Sequence, residues 1–386
     1  MKGFPAPWKF GGIVLLFIAG MVLRGLALPA ISGDMRWAYL PWYDFLKTHG
    51  VGGIGTNFSD YTPPYLYLLW LATLTSNYLP SVAAIKAISI IADMVNVVLV
   101  YRILRLRYPR GPKPLLGGAL FWILPTVMMN SSLWGQVDAF YTLFLLLCLY
   151  FLLTDGPLLA VSAFGVAVTI KAQAIFLAPL LAILLFRRRI AWHYFLMVPL
   201  IYVLLDLPAF LLGRPLLGIF TIYSSQATIF DSLSKNAPNP YIFLSAVPYN
   251  LGLMVGLVAA ALVVGYWMWL ALHAEWDSGR GSLVLMSLVS AALVPFVLPK
   301  MHDRYFYAAD VLSLLAAFYM PELWFVPVLC QIISTLAYVV FLFNAPAFLT
   351  QIAAVLNMLT IGYLIWKQLR GPAPTSSMQT LEESSD

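Results

Sequence analysis

Apolar residues in this chain come in long runs divided by short polar turns, the pattern of helices buried on every face by lipid or by one another. The first run extends from Gly11 to about Ala30. Others follow at 84–103, 115–129, 138–154, 157–170, 174–187, 190–208, 250–272, 283–299, 305–320, 322–343 and 347–367. A bilayer-crossing helix takes about 20 apolar residues, so the pattern predicts an all-α polytopic membrane protein of about 11–13 transmembrane helices. The run from Tyr65 to Tyr78 is shorter and interrupted by Thr73, Thr75, Ser76 and Asn77, which suits an interfacial or re-entrant helix better than a span. Residues 31–83 then form an outer-face first loop with interfacial helices, inside a single transmembrane domain over 1–370. The tail 371–386, made of Pro, Ser and Glu with few apolar residues, reads as disordered and cytoplasmic. No repeat of fixed period is visible, and no broken helices match between two halves, which speaks against an inverted-repeat transporter.

Composition sharpens this picture. Of 386 residues 62% are apolar and 10% charged, against roughly 25% charged in an ordinary soluble domain. Both cysteines, Cys148 and Cys330, fall inside apolar runs and read as small core residues, so a disulfide scaffold is excluded along with a nucleic-acid binder. The formal charge of +6 matters less than the placement of each basic residue. Lys2 and Lys9, the cluster from Arg102 to Lys113, Arg187 to Arg189, and Lys367 with Arg370 all fall on one side of the alternating runs, and that side is assigned to the cytoplasm. The first run ends in Leu-Ala-Leu-Pro-Ala like a signal peptide, but Arg24 interrupts it and a polytopic body follows. An uncleaved first span is the expectation.

Polar residues concentrate on the opposite side, in six clusters: Gly33 to Asp44, Phe58 to Tyr65, Asn130 to Asp138, Lys171 to Gln173, Ser232 to Tyr241, and Pro299 to Tyr307. Ionisable groups near a membrane are costly unless they pair or function. Lys300, His302 and Arg304 form a cationic group against the positive-inside trend, as a phosphate site would. Asp34 has simpler uses, capping its helix or pairing with Arg36. Asp60, ahead of Tyr-Thr-Pro-Pro, is at home initiating a turn. Lys86 and Asp93, two turns apart on one helix face, read as an internal structural pair.

In order and wording these clusters resemble the GT-C superfamily of polyprenyl-phosphate-sugar-dependent glycosyltransferases, nearest the dolichyl-phosphate-glucose-dependent glucosyltransferases of N-glycan assembly and the mannosyltransferase of GPI synthesis. The matching elements are Gly33-Asp34, Tyr61-Thr62-Pro63-Pro64-Tyr65, Lys86 with Asp93, Lys171-Ala172-Gln173, Lys235-Asn236 and His302-Asp303-Arg304. The resemblance covers about 30 to 307. It implies an inverting hexose transfer from a polyprenyl-phosphate-linked sugar to a glycan, lipid or protein hydroxyl, with Asp34 as general base and Asp60 in reserve. The leaving phosphate needs cations rather than a general acid, which His302, Arg304, Lys300 and Lys171 would supply. Tyr61, Trp134, Gln136 and Asn236 would line the sugar site. No cofactor and no metal site are expected, because His49, His193, His273 and His302 are scattered; Asp34, Asp44 and Asp60 in one loop leave a Mg²⁺ requirement open. The expected partners are the lipid-linked sugar, its acceptor and membrane lipids, with no nucleic acid. The expected location is a prokaryotic plasma membrane, the site facing out, or the endoplasmic reticulum in a eukaryote. Two other classes stay in view, a lipid or solute transporter and a purely structural membrane protein.

Overall fold

A computed structural model describes residues 7–274 and 279–370. The expected tail and Lys2 lie outside the described residues. The fold is helical throughout: α1 (Pro7–Ala27), α2 (Leu40–His49), α3 (Pro63–Thr73), α4 (Ser81–Arg107), α5 (Lys113–Ile123), α6 (Pro125–Met128), α7 (Asp138–Leu153), α8 (Pro157–Ile170), α9 (Ala178–Phe186), α10 (Met197–Leu211), α11 (Leu216–Phe220), α12 (Ile222–Thr228), α13 (Tyr249–His273), α14 (Arg280–Val297), α15 (Tyr307–Tyr319), α16 (Val326–Phe343) and α17 (Phe348–Leu369). Proline in the first turn starts α2, α3, α5, α6, α8, α9 and α16. There its fixed φ suits the helix and its missing N–H has no partner to lose. The only strands among the described residues are β1 (Ser234–Lys235) and β2 (Met301–His302), paired in parallel.

Six of the described helices are long and apolar enough to cross a membrane: Ser81–Arg107, Trp192–Leu211, Tyr249–His273, Arg280–Val297, Pro321–Phe343 and Phe348–Leu369. The pair Lys113–Ile123 and Pro125–Trp134, bent by 50°, supplies a seventh if taken as one span. The chain is a multi-pass membrane protein. The expectation of 11–13 crossings also counts apolar helices shorter than these. Asp138–Leu153 and Pro157–Ile170 have 16 and 14 residues, or about 24 and 21 Å of helix, and each runs between one end of the bundle, at Asp138 and Lys171, and the opposite end, at Leu153 and Pro157. α3, at 11 residues, is too short to cross and packs beside α2 and α10.

Burial shows how the helices are layered. α14 is central, buried from Leu283 through Phe296. α10 and α13 instead leave Leu200, Val203, Leu204, Leu257, Val258 and Leu262 exposed, as lipid-facing helices do. A separate smaller core of Met35, Tyr39, Tyr43, Leu46, Ile54, Tyr65, Leu66 and Leu69 holds the first loop as a packed cap.

Two polar staples lock α1 into the bundle, and they correct the expected pairing of Lys86 with Asp93. Asp93 pairs with Arg24 at 2.8 Å, while Arg24 also donates to Ser131, Ser132 and the Trp122 carbonyl. The Lys86 ammonium donates to the carbonyls of Ala27, Leu28 and Ala30. It satisfies the acceptors that the end of α1 leaves open and so fixes the turn leading to Asp34.

The basic turns gather at one end. Arg280 donates to the carbonyls of Leu106 and Leu153, Arg187 to those of Ala271, Leu272 and Ala274, and Tyr108 to that of Phe318. The polar clusters expected to carry the chemistry meet at the other end.

Candidate functional site

The chain reaches Asp34 through the turn that Lys86 holds. The helix beginning there is capped by Ser32, whose Oγ accepts from the Met35 N–H, so Asp34 is not the cap that the sequence allowed. Nor does it pair with Arg36; its ion pair is with Arg304, at 3.4 Å. Asp34 Oδ2 also accepts from Trp134 Nε1 at 3.0 Å and from Gln136 Nε2. Its side chain remains 31% exposed, so it is held in one orientation yet reachable.

Trp134 and Gln136 come from an unusual backbone. Leu124-Pro125 breaks the helix, Met129–Trp134 continues as a π-helix, and Gly135 turns left-handed at φ 83°. Both side chains are fully buried behind Asp34. Trp134 stacks on Phe341 at 4.8 Å, and Gln136 Oε1 accepts from Tyr39 and Tyr61, whose hydroxyls lie 2.8 Å apart. Burial, foremost, raises both phenols, so they remain neutral donors. The sequence placed Trp134 and Gln136 in a sugar-lining role; they sit instead as the support of the carboxylate, and Trp134 is not a belt aromatic.

Asp34 opens on a cleft of about 350 Å³. Tyr39, Trp42, Tyr61 and Asp60 line its first-loop side; Lys171, Gln173, Lys235, Asn236, His302, Asp303, Arg304 and Tyr305 line the other. Lys171 and Arg304 are cations here. Burial lowers the Lys171 ammonium to about 8 although Asp138 opposes the shift. Burial alone would lower Arg304, but Asp34, Tyr61 and Asp138 outweigh it and raise the guanidinium well above its ordinary value. His302 is not a cation. Burial first, then Arg304, Lys171 and Lys235, push it down to about 2, and its ring sits between Phe230 and Tyr305. As a neutral imidazole it offers a phosphate one N–H and no charge.

Lys300 does not line the cleft. Its ammonium donates to the Phe230 carbonyl and the Tyr249 hydroxyl, which ties the cleft-lining segment at Phe230 to α13. The third cation of the wall is Lys235, brought in by the pairing of β1 with β2; Asn236, in the left-handed region at φ 54°, is bridged to His302. Asp60 is exposed at the rim, and its backbone carbonyl accepts from Gln226 of α12.

Sequence reasoning passed over two carboxyls. Asp303 is buried, accepts from the Arg304 N–H, and is raised by burial to about 8, so it carries a proton near neutral pH. Asp138, 1% exposed, bonds Lys171 through Oδ1 and accepts from Asn130 at 2.8 Å through Oδ2. An acidic residue opening an apolar helix was the available signal. Among the described residues no three His, Cys, Asp or Glu side chains gather as a cation site. Asp44 is exposed on α2 and does not line the cleft. No family model matches the chain, and no curated protein matches its sequence.

Proposed function

We propose that this protein is a membrane glycosyltransferase that moves a hexose from a polyprenyl-phosphate-sugar to an acceptor hydroxyl on the non-cytoplasmic face, with inversion. The observation carrying the reading is one reachable, oriented carboxylate, Asp34, lining a single cleft with Lys171, Lys235 and Arg304 at the end of an apolar bundle. In the transfer, the acceptor oxygen bonds to the anomeric carbon, the bond from that carbon to the phosphate oxygen breaks, and its electron pair leaves with the phosphate. Asp34 takes the acceptor proton. The cations receive the charge that develops on the phosphate in a site largely sheltered from water. The polyprenyl chain needs an apolar medium beside the cleft, which the bilayer supplies.

Transport, by contrast, needs polar groups within the bundle that open to both sides. Two of the buried groups there, Arg24 with Asp93 and Asp310 with Ser334, are bonded within the fold, and the polar clusters gather at one end, which favours the transferase. The test uses purified protein in detergent with undecaprenyl-phosphate-glucose or undecaprenyl-phosphate-mannose as donor and an extract of membrane lipids and glycans as the source of acceptor hydroxyls, reading release of undecaprenyl phosphate. Asp34→Asn is expected to lose about 10²- to 10⁴-fold in rate while binding undecaprenyl phosphate as the native protein does. Native-rate turnover in Asp34→Asn removes Asp34 as the base and shifts the role to Asp60. A native protein inert toward both donors overturns the reading.

A further inference from the structure

The cation wall of the cleft is organised by a carboxylate that does not line it. We propose that Asp138 is a positioning residue that fixes Lys171 and shares the Arg304 guanidinium with Asp34, keeping Arg304 from closing on Asp34 and leaving Asp34 able to accept a proton. The inference rests on the glycosyltransferase reading above.

Asp138 is the first residue of α7 and 1% exposed. A charge so placed persists only if it is paired and hydrogen-bonded. Lys171 and Asn130 provide for this, each on a different oxygen. Arg304 lies between two carboxylates without closing on either: Nη1 is 3.4 Å from Asp34, and Nε is 3.9 Å from Asp138. A charge-assisted pair fully formed sits at about 2.7–2.9 Å. Arg304 Nε is buried with no hydrogen-bond partner among the described residues, a donor left over for an anionic oxygen. Were Asp138 absent, Asp34 would be the remaining carboxylate to draw the guanidinium in, and a base closed on an arginine is a poor proton acceptor.

The charged and titratable groups facing Asp34 are Arg304 and Asp303 from the loop before α15, Lys171 from the end of α8, and Tyr39 and Tyr61 from the first loop. Lys235 and Asp60 lie on the walls of the same cleft. Replacing Asp138 by Asn removes one negative charge, leaving Lys171 without its carboxylate partner and Arg304 with Asp34 alone. Proton acceptance at Asp34 then weakens, whereas attraction for a phosphate does not. A merely structural Asp138 has another signature, with affinity and rate falling together and the pH dependence unmoved.

The experiment compares native protein, Asp138→Asn, Asp138→Glu and Lys171→Met, using whichever undecaprenyl-phosphate hexose the native protein turns over and undecaprenyl phosphate as binding probe. Asp138→Asn is expected to lower kcat at least about ten-fold, to leave donor KM and probe affinity unchanged or tighter, and to move the acid limb of the pH–rate profile down. Asp138→Glu keeps the charge and is expected to leave the limb in place. If Asp138→Asn does not fold, Lys171→Met decides: Asp138, relieved of lysine, draws Arg304 from Asp34, and the acid limb of the residual activity moves up. A limb that stays put in the folded variants, or a KM that rises as kcat falls in Asp138→Asn, overturns the proposal. With an active native protein and an inactive Asp34→Asn, that failure touches Asp138 alone. A native protein without turnover overturns the glycosyltransferase reading and this inference with it.

Discussion

Lys171 and Asp303 owe their protonation behaviour to burial. The Lys171 ammonium is lowered to about 8 and the Asp303 carboxyl raised to about 8, so both lose a proton over the same interval. The signs agree. As pH rises through about 8, Lys171 loses a positive charge and Asp303 gains a negative one beside Arg304. Affinity for undecaprenyl phosphate is therefore expected to hold from pH 6.5 to 7.5 and to fall by about ten-fold or more by pH 9, since one lost charge-assisted bond is worth about 1.5–3 kcal/mol. Titrating binding against pH checks it, and Asp303→Asn is expected to soften the decline. His302, neutral throughout this range, contributes nothing to it. An affinity still level at pH 9 would show that neither group faces the ligand.

The elements that set the site are those that depart from regular helix. The break at Leu124-Pro125 and the left-handed Gly135 together turn Trp134 and Gln136 back onto Asp34. The staples of α1 then keep the opposite side of that contact in register. Arg24 is 3% exposed against a fully buried Asp93. Arg24→Leu leaves that carboxylate without its cation and is expected to cost about 3–5 kcal/mol of stability. The double variant Arg24→Leu with Asp93→Leu is expected to recover a large part of the loss, because the buried charge is gone. Thermal unfolding midpoints of the purified proteins in detergent measure both. A single variant as stable as the native protein would mean that α1 is held by packing alone.

Across the whole molecule, the basic turns and the cleft lie at opposite ends of the helices. If positive residues face the cytoplasm as they commonly do, the cleft faces out. Thr48 is exposed on α2 at the cleft end and Arg188 is exposed at the other. Both native cysteines are buried, so background labelling should be small. A membrane-impermeant thiol reagent added to intact cells is expected to label Thr48→Cys, and to reach Arg188→Cys only after permeabilisation. The reverse pattern would invert the orientation and remove the outward-facing site.

The alternation of apolar runs and turns made the all-helical membrane architecture legible, because each helix in lipid must bury a long apolar surface, and that requirement is written residue by residue. The same alternation put Asp34, Lys171 and Arg304 on one side, since residues at the ends of neighbouring helices share an end of the bundle. Sequence distance carries no information about which buried groups touch. Only the tertiary structure decided that Lys86 caps α1 while Asp93 pairs with Arg24, that Ser32 rather than Asp34 caps the first-loop helix, and that Asp138 joins Lys171 and Arg304. Charge state was likewise decided in three dimensions: His302 and Asp303 are neighbours in a polar motif, yet burial makes the imidazole neutral and the carboxyl protonated near pH 7. The physical reason is that lipid and packing dictate where apolar surface goes, position by position, whereas a polar group's partner and proton depend on what the rest of the fold brings within a few ångströms.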